Sequence, residues 1–333
     1  MTGPFEVHGS ETFGYESLLS PPSLPECDES NPVESAVIRG LVRSWPRRAT
    51  VRRVEPELDD FFDPAKADFP EALLPFREHD LYRCLDESKK DRLRAWGWIA
   101  YNKNVMDIEQ FVVNPGFQLL SHDAFGTGLG DGHRAAALQS MVDEEYHTLM
   151  HLNASAATRR HRGWPLREDT LPAAQTVRRH HAAVAGHTDP RAAALTTLAY
   201  TTVAETSISA YLGLMTEDEG VQPLNRATVA LHRRDEQCHS SITGDLVTLV
   251  YDTLDADDRH TLLEGLREGV DAFTASDLTT WRAILEQEQI TGAGTIIADV
   301  TADSDRKPMV QDCSAIRRLC EHLGVADDIR DEW

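Results

Sequence analysis

The sequence predicts an all-α protein with a four-helix bundle at its core and additional helices around it. Apolar residues recur at helical spacing in several long segments, and many of these segments begin at an N-cap residue or a proline. Alternation of apolar and polar residues never extends far enough to build a sheet. Four of the helical segments also carry acidic residues or histidines on the faces that a bundle would bury.

Helix-capping and helix-breaking residues set most of the predicted helix ends. Asp86 is a predicted N-cap, and Asn114-Pro115 is predicted to stop the helix that it begins. Residues 50–80 hold several prolines and are predicted to form an irregular wrap. In chain order, the predicted helices run from Glu34 through ESAVIRGLVRSW, from Asp86 to about Val113, from His133 to about Thr158, over 172–186, from Asp189 to about Met215 and from Gln222 to about Leu254, with two or three shorter helices afterwards.

Composition favours one large domain over residues 35–333. The chain has 333 residues, of which 41% are hydrophobic, and it lacks the long apolar run that predicts a membrane span. The net charge of −22 at pH 7 disfavours binding to nucleic acid or to an anionic membrane. Five scattered cysteines without a Cys-x-x-Cys pair, and an N-terminus without a secretory pattern, favour a cytoplasmic location.

Residues 1–34 differ in composition from the rest of the chain. They contain seven acidic residues, no Lys or Arg, and the segment SPPSLPECDESNP. This composition is typical of a flexible arm, because it offers little apolar surface to bury. We expect the arm to be dispensable for iron binding, whether it is only a tail or a lid over the pocket that alters turnover.

Two predicted helices repeat the pattern Asp-Glu-x-x-His. Residues 143–147 read DEEYH and residues 235–239 read DEQCH, so Glu and His lie one helical turn apart in each segment. A single copy is common on solvated helix faces, but its recurrence on two helices favours a shared binding site. The residues concerned are Glu144, His147, Glu236 and His239.

Two further glutamates lie in predicted helices with mostly apolar neighbours. Glu109 stands in NVMDIEQFVV, and Glu205 stands in VAETSISA. A carboxylate in such surroundings must be paired, protonated or bound to a metal, because burying it alone costs on the order of several kcal/mol.

Together these residues match the way a ferritin-like four-helix bundle builds a two-metal site. In such bundles two helices each supply one Glu, and the other two each supply Glu-x-x-His. Here the single-Glu helix precedes the Glu-x-x-His helix in both halves of the chain. Four carboxylates neutralise two divalent cations, and an oxygen-rich donor set favours iron or manganese over zinc.

Neighbouring residues are candidates for supporting roles. Asp143 and Asp235 are expected to accept hydrogen bonds from ligand histidines on the facing helix. His232 lies one turn before Glu236 on the same face, and its spacing alone fits either a seventh ligand or a core histidine. Three other histidines have no such neighbours in the sequence and are interpreted as structural or exposed: His151, His180 and His181.

Four motifs in this order resemble those of the non-haem di-iron arylamine N-oxygenases. They are GWIAYNKNVMDIEQ, VDEEYHTLMH, VAETSISA and LHRRDEQCHSSI, and LVRSWPRRATV near the N-terminus adds to the resemblance. The resemblance extends from about residue 35 to the end of the chain. It implies that His232 is an additional iron ligand. It further implies two iron ions, O2 as co-substrate, and oxidation of an aryl amine through hydroxylamine and nitroso stages to the nitro compound.

The resemblance also implies partners. An external electron donor is needed, because the sequence contains no flavin or nicotinamide motif. A homodimer is implied as well. The alternative from a different class is a ferritin-like iron-handling protein, which would need little more than the four helices, whereas this chain has enough additional residues to build a substrate pocket.

The helix of Glu109 is expected to line the substrate pocket. The helix of Glu205 is expected to add small side chains that leave room for a larger substrate. The candidate substrate-binding residues are Tyr101, Asn104, Val105, Ile108 and Ser209.

The predicted substrate type depends on Asn104. The resemblance implies that members acting on p-aminobenzoate have an arginine at this position, whereas the Asn104 amide has no charge for a carboxylate. Lys103 points about 100° away around the helix, so a cation would have to come from elsewhere, for instance Arg306 or Lys307. We therefore expect a neutral, polar aryl amine; the amino precursor of chloramphenicol fits best, and p-aminobenzoate is the alternative.

Overall fold

The structure of the protein is a computed structural model that describes residues 35–53, 58–216, 218–303, 312–327 and 329. The acidic arm, Cys27, Arg306 and Lys307 lie outside the described residues, and so the predictions about them stay predictions. The four described cysteines have free thiols. None of the described helices combines the length and the apolar composition that a membrane span requires.

The described residues form helices and no strands, apart from one isolated parallel bridge between Ala67 and Val221. The prediction of an all-α fold is therefore confirmed. Asp80–Arg83 forms a short α-helix of four residues. The longer helices are α1 (Ala36–Arg48), α2 (Glu87–Ile108), α3 (Asn114–Ser121), α4 (Asp131–Arg162), α5 (Gln175–Ala185), α6 (Pro190–Thr216), α7 (Pro223–Thr253), α8 (Ala256–Thr274), α9 (Thr279–Gln287), α10 (Ala293–Ala302) and α11 (Ser314–His322).

Four long helices form the ferritin-like bundle that the sequence predicts. α2 packs on α4, α4 on α7, and α7 on α6, while α6 closes the circuit through α3, which extends α2. Around this bundle, α1 lies against α4 and α7, α8 lies along α6, and α5 contacts both α6 and α8. The bundle thus has a single interior that all four helices face.

The predicted stop at Asn114-Pro115 is wrong, because the chain continues there as helix. Glu109–Val113 forms a π-turn, in which the N–H of Asn114 bonds the carbonyl of Glu109, and α3 follows directly. Pro115 fits because the first positions of a helix need no N–H donor. The Thr201 hydroxyl of α6 donates a hydrogen bond to the Val112 carbonyl of the turn at 2.8 Å.

Other helix ends also differ from the prediction. α4 begins two residues before His133 and extends four residues beyond Thr158, to Arg162, where Gly163 ends it in the left-handed conformation with φ of 66°. After α7, the described part of the chain contains four further helices, α8 to α11, instead of two or three. The extra helices cover the outer faces of α2 and α6.

A polar layer divides the interior of the bundle into two apolar clusters. One cluster contains Ile108 of α2 and Ile242 of α7. The other contains Val105 of α2 and Val229 of α7. The predicted metal ligands lie between these clusters, at the levels of Glu109 on α2 and Glu236 on α7. Water is excluded on both sides, which strengthens electrostatic interactions inside the layer.

Candidate metal centre

The structure brings all seven predicted metal ligands together in the polar layer. Each of the seven has at most 1% of its surface exposed. They are Glu109, Glu144, His147, Glu205, His232, Glu236 and His239. Such a concentration of buried charge is stable only with compensating cations or protons.

The donor atoms form two overlapping groups, in each of which they lie within 4.8 Å of one another. The first group is Glu144, His147, His232 and Glu236. The second group is Glu144, Glu205, Glu236 and His239. Glu144 and Glu236 belong to both groups, which is the arrangement that lets carboxylates bridge two cations.

Glu109 and Glu205 occupy opposite ends of this arrangement. The Glu109 carboxylate lies 3.5 Å from His232 Nε2, on the side of the first group. The Glu205 carboxylate lies 3.8 Å from His239 Nδ1, on the side of the second group. One oxygen of each carboxylate is buried without a hydrogen bond from any described residue. These oxygens fit the site of a bound cation.

The hydrogen bonds define which ring nitrogen of each histidine faces the centre. His147 Nδ1 lies 2.8 Å from a Glu144 oxygen, and His239 Nδ1 lies 2.5 Å from the other. Their Nε2 atoms point outward, to Asp235 at 3.4 Å and to Asp143 at 3.1 Å. Both Asp residues therefore stand where the sequence predicts them, each facing a histidine of the opposite helix.

Trp45 and Thr50, in and just after α1, hold these two aspartates by hydrogen bonds. Neither Trp45 nor Thr50 was predicted from the sequence. The indole N–H of Trp45 donates to both oxygens of Asp143, at 3.0 and 2.9 Å. The backbone N–H of Thr50 donates to Asp235 at 3.0 Å. Although burial opposes it, the bonds from His147 and Thr50 lower the pKa of Asp235 to about 2. Both residues lie in the segment LVRSWPRRATV, which contributes to the family resemblance. No rule of helical spacing links this segment to the centre.

His232 is oriented differently from the other two histidines. Its Nε2 lies 3.0 Å from Glu236, and its ring stacks on that of His147 with the centroids 3.9 Å apart. Its Nδ1 lies 3.0 Å from Nε2 of His151. His151 is thus buried beside a candidate ligand, a contact that its neighbours in the sequence did not indicate. His180 is buried against Thr197, and His181 is exposed.

Burial and mutual proximity shift the pKa values of the cluster in opposite directions. Burial raises the pKa of Glu109 and of Glu205 well above the usual range, and nearby carboxylates add to the rise. Burial also acts on Glu144, but the adjacent His239 and His147 outweigh it and lower its pKa. Against the effect of burial, Glu144 raises the pKa of His147 to about 10 and raises that of His239. Protons therefore occupy the metal-free cluster.

Metal binding is expected to release protons and to weaken as the pH falls. The raised pKa values of Glu109, Glu205, His147 and His239 mean that these groups hold protons near neutral pH, and each must lose its proton to bind a metal. Affinity should thus rise with pH. Anaerobic calorimetric titration with Fe(II), in two buffers of different ionisation enthalpy, measures the protons released. A pH-independent affinity without proton release would contradict this expectation.

A cavity of about 160 Å³ lies beside α2. Its walls come from α2, from Tyr211 of α6 and from the segment 272–281. Ile108, the residue before the candidate ligand Glu109, is one of the lining residues. A cavity of roughly 150 Å³ can hold a benzene ring. The cavity therefore has the size to hold an aromatic ring, and Ile108 joins its wall to the segment that carries Glu109.

Three of the five candidate substrate-binding residues line this cavity: Tyr101, Asn104 and Ile108. Val105 is packed in the apolar cluster beside α2, and Ser209 faces the Arg233 side chain at 3.5 Å, so neither is a lining residue. Their contact with substrate stays a prediction. Tyr211 is a lining residue that was not predicted from the sequence. Its ring stacks on that of Tyr101 with the centroids 4.6 Å apart. Tyr211 lies on the Glu205 helix, but no motif singled it out.

The cavity wall contains no Lys or Arg among the described residues. It contains one carboxylate, that of Asp277, which pairs with Arg178 at 2.8 Å. Lys103 does not line the cavity and forms an ion pair with Asp107 at 2.6 Å, largely shielded from solvent. The amide of Asn104 forms a hydrogen bond with the Tyr211 hydroxyl, which makes this part of the wall polar but uncharged.

The fold and the donor set define a ferritin-like helical bundle with a candidate carboxylate-bridged two-metal centre. A family model described as p-aminobenzoate N-oxygenase AurF matches residues 31–324, and the chain belongs to this family. The chain is also similar to a 4-aminobenzoate N-oxygenase of Streptomyces thioluteus, with 32% identity over 303 residues that cover 90% of each chain. The protein is therefore an N-oxygenase, an enzyme of the oxidoreductase class, as the sequence motifs predict.

Proposed function

We propose that this protein is a non-haem di-iron arylamine N-oxygenase whose substrate is a neutral, polar aryl amine. The amine is oxidised with O2 through the hydroxylamine and the nitroso compound to the nitro compound. The best-fitting substrate is the amino precursor of chloramphenicol, which carries hydroxyl and amide groups and no carboxylate. This substrate would place the enzyme in antibiotic biosynthesis.

The observation that carries the proposal is the pair of donor groups that share Glu144 and Glu236. Four carboxylates and three imidazoles offer the oxygen-rich, nitrogen-containing donor set that suits iron. Iron bound there supplies the reaction with O2 and the electron transfer that side chains cannot perform. The remaining contribution of the protein is to position the ligands and substrate and to exclude water.

The overall reaction defines what else the enzyme needs. An aryl amine, two O2, two electrons and two protons give the nitro compound and two molecules of water. The two electrons must come from an external donor, because the net reaction consumes them in every turnover. A homodimer remains part of this proposal on the strength of the family resemblance.

The lining of the cavity supports the substrate assignment. Tyr101 and Tyr211 form a stacked aromatic wall, on which an aryl ring can pack. Asn104 offers hydrogen bonds to hydroxyl and amide groups, as does Gln175 at the same cavity. A substrate carboxylate would have no cation of the described lining to pair with, and the lining carboxylate, Asp277, is already paired with Arg178.

A second candidate function is p-aminobenzoate N-oxygenation. It is favoured by the family description and by the activity that the name of the Streptomyces thioluteus relative states. It requires a cation for the substrate carboxylate, and among the described residues no Lys or Arg lines the cavity.

Iron analysis and a substrate comparison test the proposal together. The purified protein should contain about two irons per chain, and the diferrous protein should convert aryl amines when O2 is added. We expect the amino precursor of chloramphenicol to have a higher kcat/KM than p-aminobenzoate. A higher value for p-aminobenzoate would overturn the substrate assignment alone. Iron uptake without conversion of any aryl amine would instead indicate an iron-handling protein.

A further inference from the structure

A chain of buried hydrogen bonds leads outward from His232. His232 Nδ1 lies 3.0 Å from His151 Nε2, and His151 Nδ1 lies 2.6 Å from the Asn102 side-chain oxygen. The Asn102 amide nitrogen donates to the Ser155 hydroxyl at 2.8 Å. All four residues are fully buried. The chain connects α7, α4 and α2, and the function described above uses only its first member.

We propose that His151 is a positioning residue that holds the His232 ring with its Nε2 lone pair directed into the metal centre. The inference rests on the proposed function in one respect, since it takes His232 to be a metal ligand. It concerns the residue behind this ligand, which no sequence motif indicates.

The direction of the hydrogen bonds follows from the far end of the chain. A carboxamide oxygen only accepts, so the hydrogen between Asn102 and His151 belongs to His151 Nδ1. In neutral His151, Nε2 then has a free lone pair and accepts. The hydrogen between the two rings therefore belongs to His232 Nδ1. His232 Nε2 is left unprotonated, beside oxygens of Glu236 at 3.0 Å and of Glu109 at 3.5 Å.

This arrangement makes the three candidate imidazole ligands unequal. His147 and His239 face the centre through Nδ1, and an aspartate stands behind each. His232 faces it through Nε2, with a neutral imidazole behind it. A carboxylate partner makes a ligand imidazole more basic than a neutral partner does. His232 should accordingly be the weakest imidazole donor, held mainly by the geometry that His151 imposes.

Substitutions at His151 separate positioning from simple packing. His151→Leu keeps an apolar side chain in the space but removes the acceptor from His232 Nδ1. His151→Gln retains a carboxamide oxygen that can accept in its place. His180→Leu is the matched control, because it removes another buried histidine that touches Thr197 and no candidate ligand. Circular dichroism and thermal unfolding verify that each variant is folded.

The probe is the proton NMR spectrum of the protein loaded with Co(II). Each liganded histidine should give one paramagnetically shifted ring N–H signal, which disappears in D2O, so the wild type should show three. In His151→Leu we expect one signal to be lost or to exchange at least tenfold faster. We also expect the affinity for one of the two Co(II) ions to fall about 10–100-fold. His151→Gln should restore the third N–H signal and the Co(II) affinity. His180→Leu should match the wild type in both measurements.

The outcomes separate failure of the inference from failure of the proposed function. Three unchanged signals and unchanged affinity in His151→Leu would overturn the positioning role while leaving the two-metal centre intact. A wild-type spectrum with only two such signals would show that His232 is not a ligand, and both the seven-ligand centre and the inference would fall. If His151→Gln folded but behaved like His151→Leu, a role as hydrogen-bond acceptor would be excluded.

Discussion

Glu144→Ala is expected to abolish binding at both metal positions, because this carboxylate belongs to both donor groups. It should also lower the free energy of unfolding of the metal-free protein by about 3–5 kcal/mol, the usual effect of removing one partner of a buried ion pair. The partners left behind are His147, 2.8 Å from one Glu144 oxygen, and His239 beside the other. Both histidines are fully buried and have raised pKa values, and each loses its shortest carboxylate contact. Glu236 and the aspartate behind each ring then compensate the charge at longer distances.

Glu145→Ala is the matched control for this experiment. Glu145 follows Glu144 on α4 but is exposed and accepts a hydrogen bond from Asn114 at 3.0 Å. Its loss should change stability by no more than about 0.5 kcal/mol and leave metal content unaltered. Denaturant titration of the metal-free proteins and elemental analysis of the reconstituted ones measure the two effects. Full metal content in Glu144→Ala would refute the bridging role.

Six of the seven candidate ligands were predictable because each obeys a local rule, whereas His232 was assigned only through the family resemblance. Glu144 with His147, and Glu236 with His239, lie one helical turn apart, and Glu109 and Glu205 stand in segments too apolar for an unpaired carboxylate. Local spacing fixes which face a residue occupies, and the bundle then brings the faces together. The order of the motifs along the chain was enough to predict the ferritin-like core.

Contacts between distant segments left no comparable signal. The bond from Trp45 to Asp143 and the bond from His151 to His232 each join residues that no helical period relates. The π-turn at Glu109–Val113 was missed for another reason. Asn114-Pro115 is ordinarily a stop signal, and the tertiary contact from Thr201 to the π-turn is not visible in the local sequence.

Only the wall of the cavity that α2 forms could be predicted from the sequence. Tyr101, Asn104 and Ile108 share one face of α2, which helical spacing gives directly. Tyr211 and Asp277 come from other elements, and their approach to that face depends on how α6 and the segment after α8 pack. The charge of the cavity could therefore not be predicted from α2 alone. That charge is expected to determine whether the substrate carries a carboxylate.

Asn104→Arg is expected to shift substrate preference towards p-aminobenzoate. The guanidinium would stand at the cavity wall where the neutral amide now faces Tyr211, and it could pair with a substrate carboxylate through two hydrogen bonds. Hydrogen bonds to charged groups contribute roughly 1.5–3 kcal/mol, which corresponds to about a 10–100-fold gain in relative kcat/KM. The longer side chain should also exclude the bulkier neutral amine from a cavity of about 160 Å³.

Lys103→Arg is the matched control, because it places a guanidinium on the neighbouring residue of α2 while preserving the charge. Lys103 is paired with Asp107 and does not line the cavity, so this variant should leave the preference unchanged. Competition between the two amines, with products quantified by mass spectrometry at equal iron content, gives the ratio of kcat/KM directly. If Asn104→Arg slowed both substrates by the same factor, Asn104 would not face the carboxylate-bearing end of the substrate. A shift seen equally in Lys103→Arg would mean that overall charge, rather than the position of Asn104, determines the preference.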